Sequence, residues 1–273
     1  MVLSAPAKLN LCLYLGPPRD DGLHEIRSLV EPISLADRIE ITDAPRDQVV
    51  CPDVGGENLA TRALQLLRER GWQPPPLRVR IEKRIPIAGG LGGGSADAAA
   101  ILRLAGPEVD GVEEIASELG ADVASQLRPG FALIGGAGER LEALPPPGEH
   151  ALVLLPEEQG LSTAAVYAEA DRLGLGRDPA RLDALAAELR KEAGAGATPL
   201  DYANLLINDL EPAALGLRPA IAESLDALRG AGAARVLISG SGPTAFGLFA
   251  DRAAAEDAAA QLGAGAIVCE PGP

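Results

Sequence analysis

Pro86-Ile87-Ala88-Gly89-Gly90-Leu91-Gly92-Gly93-Gly94-Ser95-Ala96-Asp97-Ala98-Ala99-Ala100 is the stretch on which the reading of this chain turns. Five of the six residues from Gly89 to Gly94 are glycine. Such a run costs backbone entropy, so it calls for a structural reason. Without Cβ atoms the backbone can fold tightly and point several N–H groups into one concavity. The alanine-rich run that follows reads as a helix from Ser95 to about Leu104, with Ser95 as its N-cap. A helix N-terminus behind converging N–H groups is an anion site, best suited to phosphate. A flexible linker would not usually abut so strong a helix. The loop is not a Walker A motif, because Ser95 stands where lysine is required, and it lacks the third glycine of a dinucleotide fingerprint. A G-x-G-x-x-A match at Gly240-Ser241-Gly242-Pro243-Thr244-Ala245 runs into a strand instead of a helix, which discounts it.

Working outward, the 273 residues suit one large domain or two moderate ones. Apolar residues make up 47% of the chain, enough for a core without staples, and at 3% aromatics that core must be Ala, Leu, Val and Ile. The net charge of −15 repels phosphate backbones and argues against nucleic-acid binding. It also means that a polyanionic ligand must be held by local N–H dipoles and one or two placed cations. Cys12, Cys51 and Cys269 are few, odd in number and without metal-ligand spacing, which suits a reducing cytoplasm. The chain has no apolar run long enough for a membrane span, and its N-terminus lacks the pattern of a signal peptide, so a cytoplasmic protein is expected. Lysine is rare: Lys8, Lys83 and Lys191 stand against 21 arginines.

Alternation predicts strands over 7–15, 38–42 and 77–82, with a turn at 19–22. Apolar residues at 59, 63, 66 and 67 predict a helix over 58–70, ended by Gly71. A second helix is expected over 112–119 and a strand over 131–134. The stiff Pro145-Pro146-Pro147-Gly148 marks the domain boundary, giving domains 1–147 and 148–273. Beyond it the pattern predicts strands over 152–155, 235–238, 245–249 and 266–269, and helices over 163–173, 179–191, 211–229 and 252–262. Short strands grouped with pairs of helices point to an α+β layered fold.

A phosphoryl-transfer site needs a base, a cation near the reacting oxygens and usually Mg²⁺. Lys8 in the first strand and Asp122, delivered to a helix start by the Gly120 turn, are the candidate pair. A carboxylate beside an ammonium stays ionised, and the ammonium can stabilise an incipient alkoxide. Taken singly, Lys8 reads equally well as a solvated strand lysine and Asp122 as a plain N-cap. His24 without a partner reads as structural, Asn58 as a helix cap, and Asn208-Asp209-Leu210-Glu211-Pro212 as a capped helix start.

Together these segments resemble the GHMP kinase superfamily, and within it the 4-diphosphocytidyl-2-C-methyl-D-erythritol kinase family. Ala5-Pro6-Ala7-Lys8-Leu9-Asn10-Leu11 is similar to the first superfamily motif, the glycine loop to the second and Ser239-Gly240-Ser241-Gly242-Pro243-Thr244 to the third. Asp21-Gly22-Leu23-His24, Asn58-Leu59-Ala60, Gly120-Ala121-Asp122-Val123, Leu161-Ser162-Thr163-Ala164-Ala165-Val166-Tyr167 and Asn208-Asp209-Leu210-Glu211 resemble segments of the narrower family.

The resemblance implies a two-domain fold with the active site in the cleft. The N-terminal domain would be like the second domain of ribosomal protein S5, and the C-terminal one ferredoxin-like. It implies ATP and Mg²⁺, with Ser95 and Asp97 as candidate metal ligands. Asp122 would be the base toward the 2-hydroxyl of a cytidine diphosphate-linked methylerythritol, with Lys8 as its partner. Gly89, Gly90, Leu91, Gly92, Gly93, Gly94 and Ser95 would wrap the ATP phosphates, and Asn58 and Lys83 would lie toward the nucleoside. Asn10, Leu23, His24, Thr163, Tyr167, Gly240 and Ser241 would hold the substrate, His24 on the cytosine edge and Tyr167 on its face. Two departures stand out. Leu23 replaces the usual family tyrosine, which removes one stacking face worth about 1–3 kcal/mol unless something replaces it. Ala124-Ser125-Gln126 replaces the frequent Pro-Phe-Phe. Another kinase of the superfamily would not need the His24 and Tyr167 pocket. A non-catalytic nucleotide-binding protein would not need Lys8 and Asp122. An RNA-binding module is opposed by the charge. Oligomeric state is not legible.

Overall fold

The computed structural model of the chain describes residues 1–55 and 58–272. In chain order the N-terminal elements are β1 (Val2–Asn10), β2 (Tyr14–Pro18), β3 (His24–Asp43), β4 (Gln48–Val50), α1 (Leu59–Glu69), β5 (Leu77–Glu82), α2 (Gly93–Ala105), α3 (Val112–Leu119) and α4 (Ala121–Gln126). Then come β6 (Ala132–Gly135), β7 (Arg140–Ala143), β8 (Ala151–Leu155), α5 (Thr163–Leu173), α6 (Pro179–Gly194) and α7 (Glu211–Leu217). The chain closes with α8 (Ile221–Gly230), β9 (Arg235–Ile238), β10 (Ala245–Phe249), α9 (Arg252–Leu262) and β11 (Ile267–Cys269). These elements form two compact units. The first comprises Met1–Lys8, Leu35–Ile87 and Gly92–Pro129; the second comprises Leu9–Ser34, Ala88–Leu91 and Gly130–Pro273.

In the first unit, β5 alternates strictly: Leu77, Val79 and Ile81 are buried while Arg78, Arg80 and Glu82 face solvent. It pairs antiparallel with β3, Ile39 opposite Ile81 and Ile41 opposite Val79, and parallel with β4 on its other side. Against this layer, α1 buries Ala60, Ala63, Leu64, Leu66 and Leu67. Helix α2 is alanine-rich because it is buried on most of its circumference: Ala96, Ala98, Ala99, Ala100, Ile101, Leu102 and Ala105 are all inside, against α1, α3 and α4. Small side chains let neighbouring helices approach closely from several directions.

The second unit carries an antiparallel sheet in the order β11-β8-β10-β9. Its central strands are apolar throughout, and α5, α7, α8 and α9 contribute Val166, Ala170, Ala213, Leu225, Leu228 and Ala258 to the core beneath them. The first half of β3 pairs with β2 and β6, Leu29 opposite Leu133, and β6 pairs with β7.

The strands and helices expected over 77–82, 112–119, 163–173, 235–238, 245–249 and 252–262 stand where the pattern puts them. Two expectations are corrected and one is extended. The first strand does not run from 7 to 15; it stops at Asn10, and Leu13 instead bonds the carbonyl of Ile207. The strand expected over 38–42 is present, as the tail of the twenty-residue β3, whose middle is buried on both faces and therefore does not alternate. The helix expected over 211–229 breaks into α7 and α8, because Pro219 supplies no N–H and its predecessor Arg218 leaves the helical region.

Inside the second unit, β3 carries a buried Glu31 whose Oε2 meets His150 Nε2 at 3.0 Å, with His150 Nδ1 2.9 Å from the Gly148 carbonyl. Burial alone would lower the imidazole pKa; the Glu31 carboxylate outweighs it and holds His150 above its ordinary value. The folded protein thus binds this proton more tightly than the unfolded chain. The stability it contributes is complete below about pH 6.5 and is lost as pH rises through the raised value. Between about pH 6 and about pH 9 the wild-type melting temperature should fall more steeply than that of His150→Gln. Parallel slopes in thermal melts would remove this pair as a source of pH dependence.

Candidate active site

Helix α2 begins at Gly93, two residues earlier than expected, and Gly92, not Ser95, is its N-cap. The cause is backbone geometry. Gly92 sits at φ +67°, a conformation open to glycine, and Ser95 falls inside the first turn. Among the described residues no side chain caps this helix, and such bare N–H groups at a helix start can receive an anion. A Cβ on Gly92 would lie 2.7 Å from Gln126 Nε2 and 3.0 Å from Lys8 Cγ. Gln126 Nε2 donates to the Gly92 carbonyl at 3.0 Å. In a trans peptide the N–H points opposite to its C=O, so this bond turns the Gly93 N–H away from the protein partner. Gly94 is exposed, and a Cβ there would meet only Leu59 Cδ1, at 4.0 Å.

Beside this helix start, Lys8 Nζ lies 3.8 Å from Asp122 Oδ2. The lysine is mostly enclosed and the carboxylate half-exposed, at 12% and 53% side-chain exposure. Gly120, at φ +143°, opens α4 and places Asp122 in its first turn. Gln126 is four residues on, hence on the same helical face as Asp122. One side of the first unit therefore joins a carboxylate, an ammonium and an uncapped helix N-terminus.

Two other candidates in this unit are committed elsewhere. Asn58 Oδ1 accepts from the Thr61 N–H at 2.9 Å and caps α1. Lys83 Nζ pairs with buried Asp37 and, at 2.8 Å, with Asp97 Oδ2. Asp37 also accepts the Arg84 and Ile85 N–H groups, fixing the entry to the loop. Asp97 Oδ1 is buried without a hydrogen-bond partner among the described residues, and burial pushes this carboxyl up to about 7 against the pull of Lys83. Asp97 is part of a buried triad that sequence spacing does not reveal, because Asp37 comes from a distant strand.

In the second unit, Gly90 at φ +78° leaves no room for a side chain: a Cβ would stand 2.5 Å from the Ser239 carbonyl and 2.8 Å from that of Gly242. Ser239 Oγ donates to the Gly90 carbonyl at 3.1 Å and accepts the Asn10 N–H at 3.2 Å. Asn10 Nδ2 donates to Ser28 Oγ at 2.7 Å. Asn208 Nδ2 donates to the carbonyls of Ile238 and Gly240, both at 2.8 Å, so it holds the glycine turn in place; it does not cap a helix, since α7 starts at Glu211 with Leu210 as its N-cap and no side-chain cap among the described residues. Leu91 is buried and Gly89 accepts from Thr244.

The same unit gathers His24, Tyr167 and a residue missed in the sequence, Asp171. The His24 and Tyr167 rings are 5.3 Å apart and tilted by 43°, and His24 Nε2 lies 2.7 Å from Asp171 Oδ1. Thr163 Oγ1 is 3.0 Å from Ser241 Oγ. Residues 163, 167 and 171 are successive steps of four on α5, a spacing that could have flagged Asp171. Leu23 is 55% exposed.

The family models of the GHMP kinases N terminal domain and the GHMP kinases C terminal match residues 58–130 and 182–267. A 4-diphosphocytidyl-2-C-methyl-D-erythritol kinase of Anaeromyxobacter sp. (strain Fw109-5) is 40% identical over 270 residues, covering 93% of this chain and 84% of the relative. One of Streptomyces coelicolor is 40% identical over 276 residues, covering 96% and 92%. The chain belongs to the 4-diphosphocytidyl-2-C-methyl-D-erythritol kinase family. A crystal structure of 4-(cytidine 5'-diphospho)-2C-methyl-D-erythritol kinase superposes over the whole of both chains, with a TM-score of 0.83 and 36% identity. A homoserine kinase from Cytophaga hutchinsonii shares the fold, with a TM-score of 0.71 at 19% identity. The resemblance read from the motifs is borne out, as is the two-domain α+β fold of this kinase family.

Because a methyl at Gly94 meets no atom closer than 4.0 Å among the described residues, Gly94→Ala should melt like wild type. If the helix N-terminus cradles phosphates, ATP affinity should drop about tenfold in calorimetric titration. Unchanged affinity with an unchanged melting temperature would take Gly94 out of the cradle.

Proposed function

We propose that this chain transfers the γ-phosphoryl group of ATP to the 2-hydroxyl of 4-diphosphocytidyl-2-C-methyl-D-erythritol, a step of the non-mevalonate route to isoprenoid precursors in the cytoplasm. The observation that carries the reading is the Lys8–Asp122 pair, 3.8 Å apart beside the uncapped start of α2. The relatives' name supplies the substrate.

In this reading residues 1–147 bind ATP and residues 148–273 carry the substrate domain. Asp122 accepts the proton of the attacking hydroxyl. Lys8 holds the carboxylate in place and stabilises negative charge on the nascent alkoxide. The substrate oxygen bonds to the γ-phosphorus while the bond from that phosphorus to the β-phosphate bridging oxygen breaks, and ADP leaves. The Gly93 and Gly94 N–H groups and the helix dipole bear the growing charge on the phosphates. His24 and Tyr167 hold cytosine, with Leu23 as an apolar edge in place of the family tyrosine. Thr163, Ser241, Gly240 and Asn10 line the substrate; Asn58, as the cap of α1, and Lys83, fastened between Asp37 and Asp97, act at the nucleoside end of ATP through the segments they fix.

Mg²⁺ supplies charge neutralisation on the β- and γ-phosphates when bound. Among the described residues no group of three or more His, Cys, Asp or Glu is poised for a metal. That suits Mg²⁺ held mainly by phosphates and one or two protein oxygens. The orphaned Asp97 Oδ1, with Ser95 in the same helical turn, is the donor set that fits.

A coupled ADP-release assay on CDP-methylerythritol, mevalonate, homoserine and galactose tests the substrate, with turnover expected on the first alone. Asp122→Asn should fold normally and lose turnover by about 10²–10⁴. Near-normal turnover in that variant would dismiss Asp122 as the base, whereas turnover on a different acceptor would dismiss the substrate.

A further inference from the structure

The role of His24 in this reading depends on which ring nitrogen carries hydrogen. Its imidazole is 6% exposed, and Nε2 sits 2.7 Å from Asp171 Oδ1. An ionised carboxylate can only accept, so Nε2 must be the protonated nitrogen. In the neutral ring Nδ1 is then a bare lone pair, with no hydrogen-bond partner among the described residues. Tyr167, four residues before Asp171 on the same stripe of α5, lies 5.3 Å from the imidazole and limits its tilt. A single hydrogen bond to a half-exposed carboxylate adds little stability. Its chemical effect is larger, because a second partner on a histidine decides what the first nitrogen can recognise.

We infer that Asp171 is a specificity-determining positioning residue: by holding the hydrogen of His24 on Nε2, it leaves Nδ1 as an acceptor that takes the 4-amino group of cytosine and refuses the 4-keto oxygen of uracil. The inference rests on the proposed contact between His24 and the base. A 4-amino pyrimidine donates to the Nδ1 lone pair. A 4-keto pyrimidine would set two lone pairs against each other in a partly dry site, leaving both unpaired. With Asn at 171 the side-chain amide can donate to Nε2, which stabilises the opposite tautomer, with hydrogen on Nδ1.

Calorimetric titrations of CDP and UDP, at about pH 8 with ADP saturating to occupy the ATP site, test this on wild type, Asp171→Ala, Asp171→Asn and His24→Ala. Wild type should prefer CDP by about tenfold or more. Asp171→Ala should narrow the preference to about threefold or less, and Asp171→Asn should abolish or invert it. ¹⁵N spectra give an independent readout. The chain has two histidines, so His150→Gln assigns the His24 ring directly. Wild type should show hydrogen on Nε2, and Asp171→Asn a gain of the Nδ1 form. A CDP-to-UDP ratio unchanged in both Asp171 variants, even with weaker binding overall, overturns the proposal. If that ratio still collapses in His24→Ala, only Asp171 is struck out. If wild type itself shows no cytosine preference, or His24→Ala keeps it, the contact between His24 and the base falls too.

Discussion

Close packing of bare backbone is the constraint under which the rest of this protein is arranged. Gly90 passes so near the Ser239 and Gly242 carbonyls, and Gly92 so near Gln126 and Lys8, that a single methyl at either position would collide. Both also hold positive φ, so any side chain would be strained twice over. The reward is directional. With the Gly90 carbonyl bonded by Ser239 and the Gly92 carbonyl by Gln126, the following N–H groups face away from those partners. Each of these dipoles is thereby oriented within its own unit.

Such dipoles matter because the chain is strongly acidic. At a net charge of −15, a triphosphate gains nothing from the global field. The cations at the glycine loop are each already engaged by carboxylates: Lys8 by Asp122, Lys83 by Asp37 and Asp97. The two lysines differ in what they leave open. Lys8 faces a half-exposed carboxylate, which leaves the pair open to solvent on one side. Lys83 is sealed between two buried acids and fastens the strand end to α2. The two pairs thus differ chiefly in the burial of the carboxylate each lysine meets.

Much of this was legible in the sequence where one physical signal dominated. The glycine run, the alternation of β5 and the alanine-rich run of α2 each have a single cause, and the structure follows them. The Lys8–Asp122 pair was legible only through motif resemblance, since the two residues are 114 positions apart. Three kinds of feature were hidden. The central part of β3 is buried on both faces, so period-two patterning is absent. Glu31 and Asp37, polar residues inside the fold, look like surface residues until His150 and Lys83 are brought to them. Asp171 passed unnoticed because its partner, His24, comes from a strand far earlier in the chain. Ser95 misled in the opposite sense. Its chemistry suits a cap, but Gly92 reaches the required backbone geometry first and the helix starts without it.

The scarcity of lysine has a practical side. Lys8 and Lys83 expose only 12% and 8% of their side chains, whereas Lys191, near the end of α6, exposes 80%. The amino terminus donates to the Ile41 carbonyl. Reagents that acylate primary amines would therefore meet one open side chain, on a helix that contributes none of the residues discussed at the glycine loop or around His24. Together with the α-amine of the exposed Met1, it leaves two sites for a dye or surface tether, neither of them among the residues discussed at the glycine loop or around His24.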